Sequence, residues 1–170
     1  MTSSREPSLQ ARLASLGFVD TSLSADVLRN HADLEFGIDH VRVAADPDLS
    51  LRVLGALLDS GAVSVSGWDE SEWRNVASLC GASSALGEHL IRHPLQVNYV
   101  AHNRTLPGAE TLKSTLLRAI EGSEWDEALV QLRIAYRKEV SVIAALDVAA
   151  IAGSVDILAS IAHSLSDLAD

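Results

Sequence analysis

A run of small side chains, then an apolar helical stripe, then a proline, sets the tightest limit on how this chain folds. The segment is Gly81-Ala82-Ser83-Ser84-Ala85-Leu86-Gly87-Glu88-His89-Leu90-Ile91-Arg92-His93-Pro94. Its small residues allow two backbones to approach closely. Leu86, Leu90 and Ile91 fall at helical spacing. A hydroxyl on Ser83 or Ser84 can accept from the free amides of the first turn and so cap that helix. Pro94 disfavours helical backbone at His93 and ends the run. Such a segment belongs in a protein made by packing helix on helix.

Composition points the same way. The 170 residues suffice for one domain with a sizeable core. Hydrophobic residues make up 48% and aromatics only 4%, so the core is aliphatic. A β-sandwich would draw more heavily on β-branched and aromatic side chains. The expected fold is all-α: a multi-helix bundle of about seven helices, including one long helix near 124–152, with several antiparallel neighbours joined by short connections.

The formal net charge of −10 argues against a broad nucleic-acid surface. Cys80 is the only cysteine, which rules out an internal disulfide and agrees with a reducing compartment. Residues 1–10 are polar, with Arg5, Glu6 and Pro7, and lack the apolar stretch of a signal peptide. The apolar run from Val140 to Ile151 is broken by Asp147 and is too short to span a bilayer. The expected location is the cytoplasm, with neither nucleic acid nor membrane as a partner.

Along the chain, Leu9, Leu13 and Leu16 share a face of a short helix that Gly17 closes. Asp20 to Ser24 is rich in caps, and Ala25, Val27 and Leu28 follow in a second helix. Residues 32–45 are ambiguous; His40-Val41-Arg42-Val43 alternates as a strand does, with no partner strand in sight. Asp46 caps the next helix, Pro47 suits its first turn, and Asp48 sits at the positive end of its dipole. Leu49, Val53, Leu54, Leu57 and Leu58 form its apolar face, and Gly61 stops it. Asp69 and Glu72 have capping-box spacing; Trp73, Val76, Ala77 and Cys80 then recur at i, i+3, i+4 and i+7. Residues 94–110, with Pro94, Pro107 and Gly108, form the longest irregular stretch. Leu112, Leu116, Leu117 and Ile120 mark a helix closed near Gly122. Ser123 and Asp126 form a second capping pair and open the longest helix, from about Glu124 to Ala152, with Leu129, Leu132, Tyr136, Val140 and Ile143 as its buried stripe. Gly153 ends it. Ser154 starts the last helix, whose face carries Leu158, Ile161, Leu165 and Leu168. That stripe reaches Asp170 without a stop signal, so the polypeptide is expected to continue. No internal repeat is visible.

Three segments resemble the bifunctional glutamine synthetase adenylyltransferase/adenylyl-removing family, in its actinobacterial form. They are Leu79 to Pro94; Leu132-Arg133-Ile134-Ala135-Tyr136-Arg137-Lys138-Glu139 with Val142 to Val148; and Leu165 to Asp170. The resemblance covers residues 46–170, with residues 1–45 matched loosely as short helices. It departs from the common pattern at Leu146, where many members have an arginine, and after Pro94, where a tryptophan is frequent. What it implies is a helical region ahead of the nucleotidyltransferase domain of the adenylyl-removing half. In that family one half removes AMP from a glutamine synthetase tyrosine by phosphorolysis and the other attaches AMP from ATP. Both use Mg²⁺, and the balance responds to glutamine and to a PII signal protein. The family's metal-binding Asp-x-Asp pair lies on a strand after a Gly-Ser turn, downstream of the third segment. The resemblance therefore implies no catalytic, cofactor-binding or metal residue in this chain, which is expected to be inactive alone and to hold neither ATP nor Mg²⁺. Its implied partners are glutamine synthetase and PII.

Other residues carry competing readings. Asp46 and Asp48 form a literal Asp-x-Asp, but Pro47 is unsuited to a strand interior, and a helix start accounts for all three. His89 and His93 have zinc-compatible spacing with His102 nearby, yet Glu88 precedes the first histidine instead of following it as in zinc proteases. Asp147 lies on or beside the long helix's buried stripe, so it should find a partner among Arg133, Arg137 and Arg118, or contact a catalytic domain. Tyr136, Arg137 and Lys138 offer a basic contact for phosphate, though Glu139 beside them suggests a solvated face. Cys80 reads as core. The alternative function is a free-standing helical protein-interaction module. A Gly-Ser turn and Asp-x-Asp encoded shortly after Asp170 would favour the enzyme region, and an isolated stop codon the module.

Overall fold

The computed structural model describes residues 8–150 and 155–169. They form α1 (Leu9–Ser15), α2 (Thr21–Asn30), a 3₁₀ segment (Ala32–Gly37), α3 (Ile38–Val41), α4 (Pro47–Asp59), α5 (Glu70–Ala82), α6 (Ser84–Arg92), α7 (Gln96–His102), α8 (Ala109–Ile120), α9 (Trp125–Ala149) and α10 (Val155–Ala169). The all-α class holds, with ten α-helices among the described residues instead of about seven.

Two of the unexpected helices are short. Over residues 38–44 the strand-like alternation is overruled by packing. Val41 and Ala44, three apart, are buried, while Val43 is 65% exposed. Residues 94–110 are not irregular throughout, because α7 occupies Gln96–His102. Val97, Val100 and Ala101 are its buried face, at i, i+3 and i+4. No side chain caps it; the carbonyls of His93 and Pro94 accept from the Gln96 and Val97 amides and start the coil. With only seven residues and no capping signal, its periodicity is easily lost between two prolines.

The caps that are present act as their chemistry dictates. Asp46 accepts from the Leu49 amide at 2.9 Å, with Pro47 in the first turn of α4. Asp69 and Glu72 make the full capping box of α5. Ser83 caps α6 by accepting from the Leu86 amide at 3.3 Å. Gly17, Gly61 and Gly122 take positive φ just beyond α1, α4 and α8. The Ser123/Asp126 pair does not cap α9. Its N-cap is Glu124, with no side-chain bond, and Ser123 donates its amide to Ile120, within the preceding turn. This one-residue displacement moves Glu127, not Asp126, to the third helical position. The expected stop at Gly153 and start at Ser154 lie outside the described residues.

The core is centred on α5, which packs against α3, α4, α6, α7 and α9. Leu51, Leu54, Leu57, Val76, Leu79, Cys80, Leu90 and Val142 belong to this aliphatic cluster. A smaller cluster of Leu112, Ile143, Ile161 and Leu168 ties α8 and α10 to α9. On α10 the deep line is Ile161, Ser164 and Leu168; Leu158 and Leu165, expected on the same face, are 65% and 43% exposed. No described helix is long and apolar enough to cross a membrane.

Small residues set the closest approaches. A Cβ on Gly81 would lie 2.6 Å from the Ala44 Cβ and 2.8 Å from the Asp46 carbonyl oxygen. A Cβ on Gly87 would lie 2.9 Å from Val53 of α4. The small-residue run thus seats the end of α5 and the body of α6 on α4, as its composition requires. Gly81→Ala should cost about 1–3 kcal/mol, since overpacking here meets backbone that has little room to move. Adding Ala44→Gly removes only one of the two clashes and should recover part of the loss, as read from urea midpoints.

Candidate functional site

Two polar arrangements stand out against the aliphatic interior, and both involve α9. The first is a buried carboxylate. Glu139 is fully buried, contrary to its expected place on a solvated face. The Tyr99 hydroxyl of α7 donates to Glu139 Oε2 at 3.2 Å. Lys138 Nζ lies 3.2 Å from Oε1, off hydrogen-bonding angle, so that oxygen has a charge partner but no hydrogen bond among the described residues. The same ammonium sits 4.2 Å from the centre of the Tyr99 ring. Burial, followed by the Glu139 charge and its hydrogen bond, pushes the Tyr99 hydroxyl up to about 12. It therefore remains a donor at neutral pH.

Glu139 escaped sequence analysis because the expected stripe of α9, deeply buried at Ile143, misses the most enclosed line along the rest of the helix. Tyr136 is 41% exposed, and Leu129, Leu132 and Val140 are only partly buried. The deep line is Ala135, Glu139, Val142 and Ala145. Those offsets are i, i+4, i+7 and i+10, a helical period written in small residues with one acid among them. Small residues face α5 because that contact is close.

The second arrangement is an open groove of about 620 Å³ between α6 and α9. Arg92, His89 and His93 come from α6 and its C-terminal turn; Val130, Leu132, Arg133, Ile134, Tyr136 and Arg137 come from α9. His89 is buried and donates from Nε2 to the Gln96 amide oxygen at 2.9 Å, an acceptor that fixes its tautomer. Burial holds its imidazole below the usual histidine range, against the Gln96 bond; His93, Arg137 and Arg92 add to the lowering. The His93 ring lies 4.8 Å from that of His89. Arg92 pairs with exposed Glu88 at 2.9 Å.

The other sequence candidates are dispersed. Asp46 is spent on its cap, while Asp48 accepts from the Val19 and Asp20 amides and the Ser24 hydroxyl, clasping the start of α2 onto α4. These two carboxylates do not converge on a metal. His102 is drawn to Glu72 and the Asn98 carbonyl, away from His89 and His93. Among the described residues no three acids, histidines or cysteines gather as a metal site, so no step through Mg²⁺ can be derived from these side chains. Asp147 is exposed, not buried. Arg137 lies ten residues away, about 15 Å along the helix, beyond its reach. Arg133 is farther still, and Arg118 lines a recess beside Tyr99 and Lys138. Cys80 is buried as expected, and burial pushes its thiol up to about 12.

Comparison with known proteins gives a consistent set of relatives, each called "Bifunctional glutamine synthetase adenylyltransferase/adenylyl-removing enzyme". The chain is 31% identical over 178 residues to that of Mycobacterium avium (strain 104), covering 97% of this chain and 17% of the relative. It is 33% identical to that of Mycobacterium bovis over the same shares. To that of Cutibacterium acnes it is 32% identical over 190 residues, 98% of this chain and 19% of the relative. The chain thus spans less than a fifth of the curated relatives it matches. No protein-family profile and no solved structure gives a significant match.

Two outcomes follow from this geometry. His89 favours its neutral form in the folded state, so the unfolded chain takes up a proton first as pH falls through about 6.5. Stability should decline as pH falls from about 7.5 through about 6.5 and below, and the decline should be shallower in His89→Gln, measured by urea unfolding at each pH. Lys138→Ala leaves Glu139 without its charge partner and should cost about 2–3 kcal/mol. The double variant Lys138→Ala/Glu139→Leu should recover much of that.

Proposed function

The chain corresponds to a partial region of the bifunctional glutamine synthetase adenylyltransferase/adenylyl-removing enzymes, and from that premise we propose that it is the N-terminal helical portion of the adenylyl-removing half. Its role is to brace a nucleotidyltransferase domain and to help seat glutamine synthetase, in a system that regulates nitrogen assimilation. ATP, Mg²⁺ and the response to PII belong, in this reading, to the whole enzyme. The chain contributes a rigid helical scaffold in the cytoplasm.

One observation carries the reading: the similarity runs through 97% of this chain while spanning 17% of the relatives. A scaffold role also suits the distribution of polar groups. The aspartates nearest in pattern to a metal pair are engaged in holding α2 and α4. The one deeply buried acid of α9 is engaged by Tyr99 and Lys138.

The direct test supplies purified chain with adenylylated glutamine synthetase, phosphate and Mg²⁺, and follows ADP formation. The expected rate equals that of the protein-free control. Sustained turnover would show that the chain carries its own catalytic centre and would end the scaffold reading.

A further inference from the structure

The groove between α6 and α9 has a charge pattern at odds with the rest of the molecule. The chain holds 23 acidic against 13 basic residues. Yet three arginines and two histidines line this groove and no aspartate or glutamate does. Among the described residues Arg133 and Arg137 make no ion pair, and Arg92 is tied only to exposed Glu88. Elsewhere Arg12, Arg74 and Arg104 are matched by Glu35, Glu70 and Asp69, while exposed Arg52 and Arg118 stand singly without an ion pair among the described residues. What sets the groove apart is the clustering of cations with no acid in its lining.

The surface between these cations is apolar. Val130, Arg133, Ile134 and Arg137 recur at i, i+3, i+4 and i+7, so α9 presents alternating apolar and cationic steps along one face. Val130 is 50% exposed and Tyr136 41%, both large side chains left open to solvent. Two helical turns of this face run for about 10 Å. A bare inorganic anion would leave that apolar floor unused, and a purely apolar ligand would leave the guanidinium groups uncompensated.

We propose that this groove binds an acidic peptide segment of a partner protein, with one aliphatic or aromatic side chain on the Val130–Ile134–Tyr136 floor and carboxylates paired to Arg133, Arg137 and Arg92. The molecule's overall negative charge does not forbid this, because charges farther than about 8 Å away are largely screened at physiological salt while contact pairs are not. The groove and the catalytic competence of the chain are independent properties, so either can fail alone.

The test uses the full chain and a fluorescent acidic heptapeptide carrying one leucine and one phenylalanine, with a neutral control in which amides replace its carboxylates. Fluorescence anisotropy should show saturable binding of the acidic peptide and binding weaker by about tenfold or more for the control. Arg133→Gln/Arg137→Gln, which keeps helix-forming residues on α9, should lose binding by a similar factor with an unchanged circular dichroism spectrum. Val130→Ser should weaken it less. Equal binding of both peptides, binding unaffected by the arginine substitutions, or no binding overturns the proposal. So does displacement of the peptide by inorganic phosphate at low millimolar concentration, which would mark a small-anion site. Concentration-dependent dimerisation in sedimentation that the same arginine substitutions abolish would assign the groove to a second copy of the chain and overturn it too.

Discussion

Everything in this bundle depends on how closely α5 can be approached by its neighbours. Trp73, Val76, Ala77, Leu79, Cys80 and Gly81 are all buried, together with polar Glu72 and Asn75. A helix enclosed to this extent keeps only a narrow outer stripe of Glu70, Ser71, Arg74 and Ser78, so polar groups off that stripe need partners inside. Glu72 closes the capping box, Asn75 donates to the Asn103 carbonyl, and the Ala77 carbonyl accepts from Ser50 of α4. These bonds pin α5 to α4 and to the end of α7 in a fixed register. The missing Cβ at Gly81, and at Gly37 against the Trp73 ring, lets the backbones come near enough for those bonds to form.

The same constraint explains why α9 hides an acid. To lie against α5, α9 turns its small residues inward, and Glu139 falls on that line. A buried carboxylate is tolerable only when its charge is met. Lys138, its chain neighbour, reaches it over the face of the Tyr99 ring, while the Tyr99 hydroxyl arrives from α7. The arrangement makes α7 more than a connection, since it supplies the donor that allows α9 to pack as it does. A helix carrying this acid has few alternative rotations, because turning Glu139 elsewhere in the core would strand it.

How much of this could be read beforehand follows from where the information is local. Caps and stops are local, and Asp46, Asp69, Ser83, Gly17, Gly61 and Gly122 all act as their types require. The face a helix buries is set by its neighbours. For α9 the large residues Leu132 and Tyr136 suggested one face, and close packing selected another. Short helices suffer most: α3 and α7 lack the length to display a period, and with α7 unseen, Tyr99 could not be paired with Glu139. The error at Asp147 has the same origin, because a rotated stripe turns a supposedly buried acid toward water. The groove was legible only in fragments. Its residues were noted on separate helices, and nothing local to either says that they meet.

That meeting has a further consequence for two of the three segments that resemble the adenylyltransferase/adenylyl-removing family. Residues 79–94 and 132–148 supply the whole groove lining except Val130. Packing alone would account for Gly81 and Gly87 in the first segment, and for Ala135, Val142 and Ala145 in the second. It does not account for Arg92, Arg133 and Arg137, whose side chains point away from the aliphatic core and whose removal would cost the fold little. Where core-forming and solvent-facing residues share one segment, packing explains the former, and the latter need a reason outside the fold. In a strongly acidic chain, an arginine-lined surface free of acids favours contact with opposite charge.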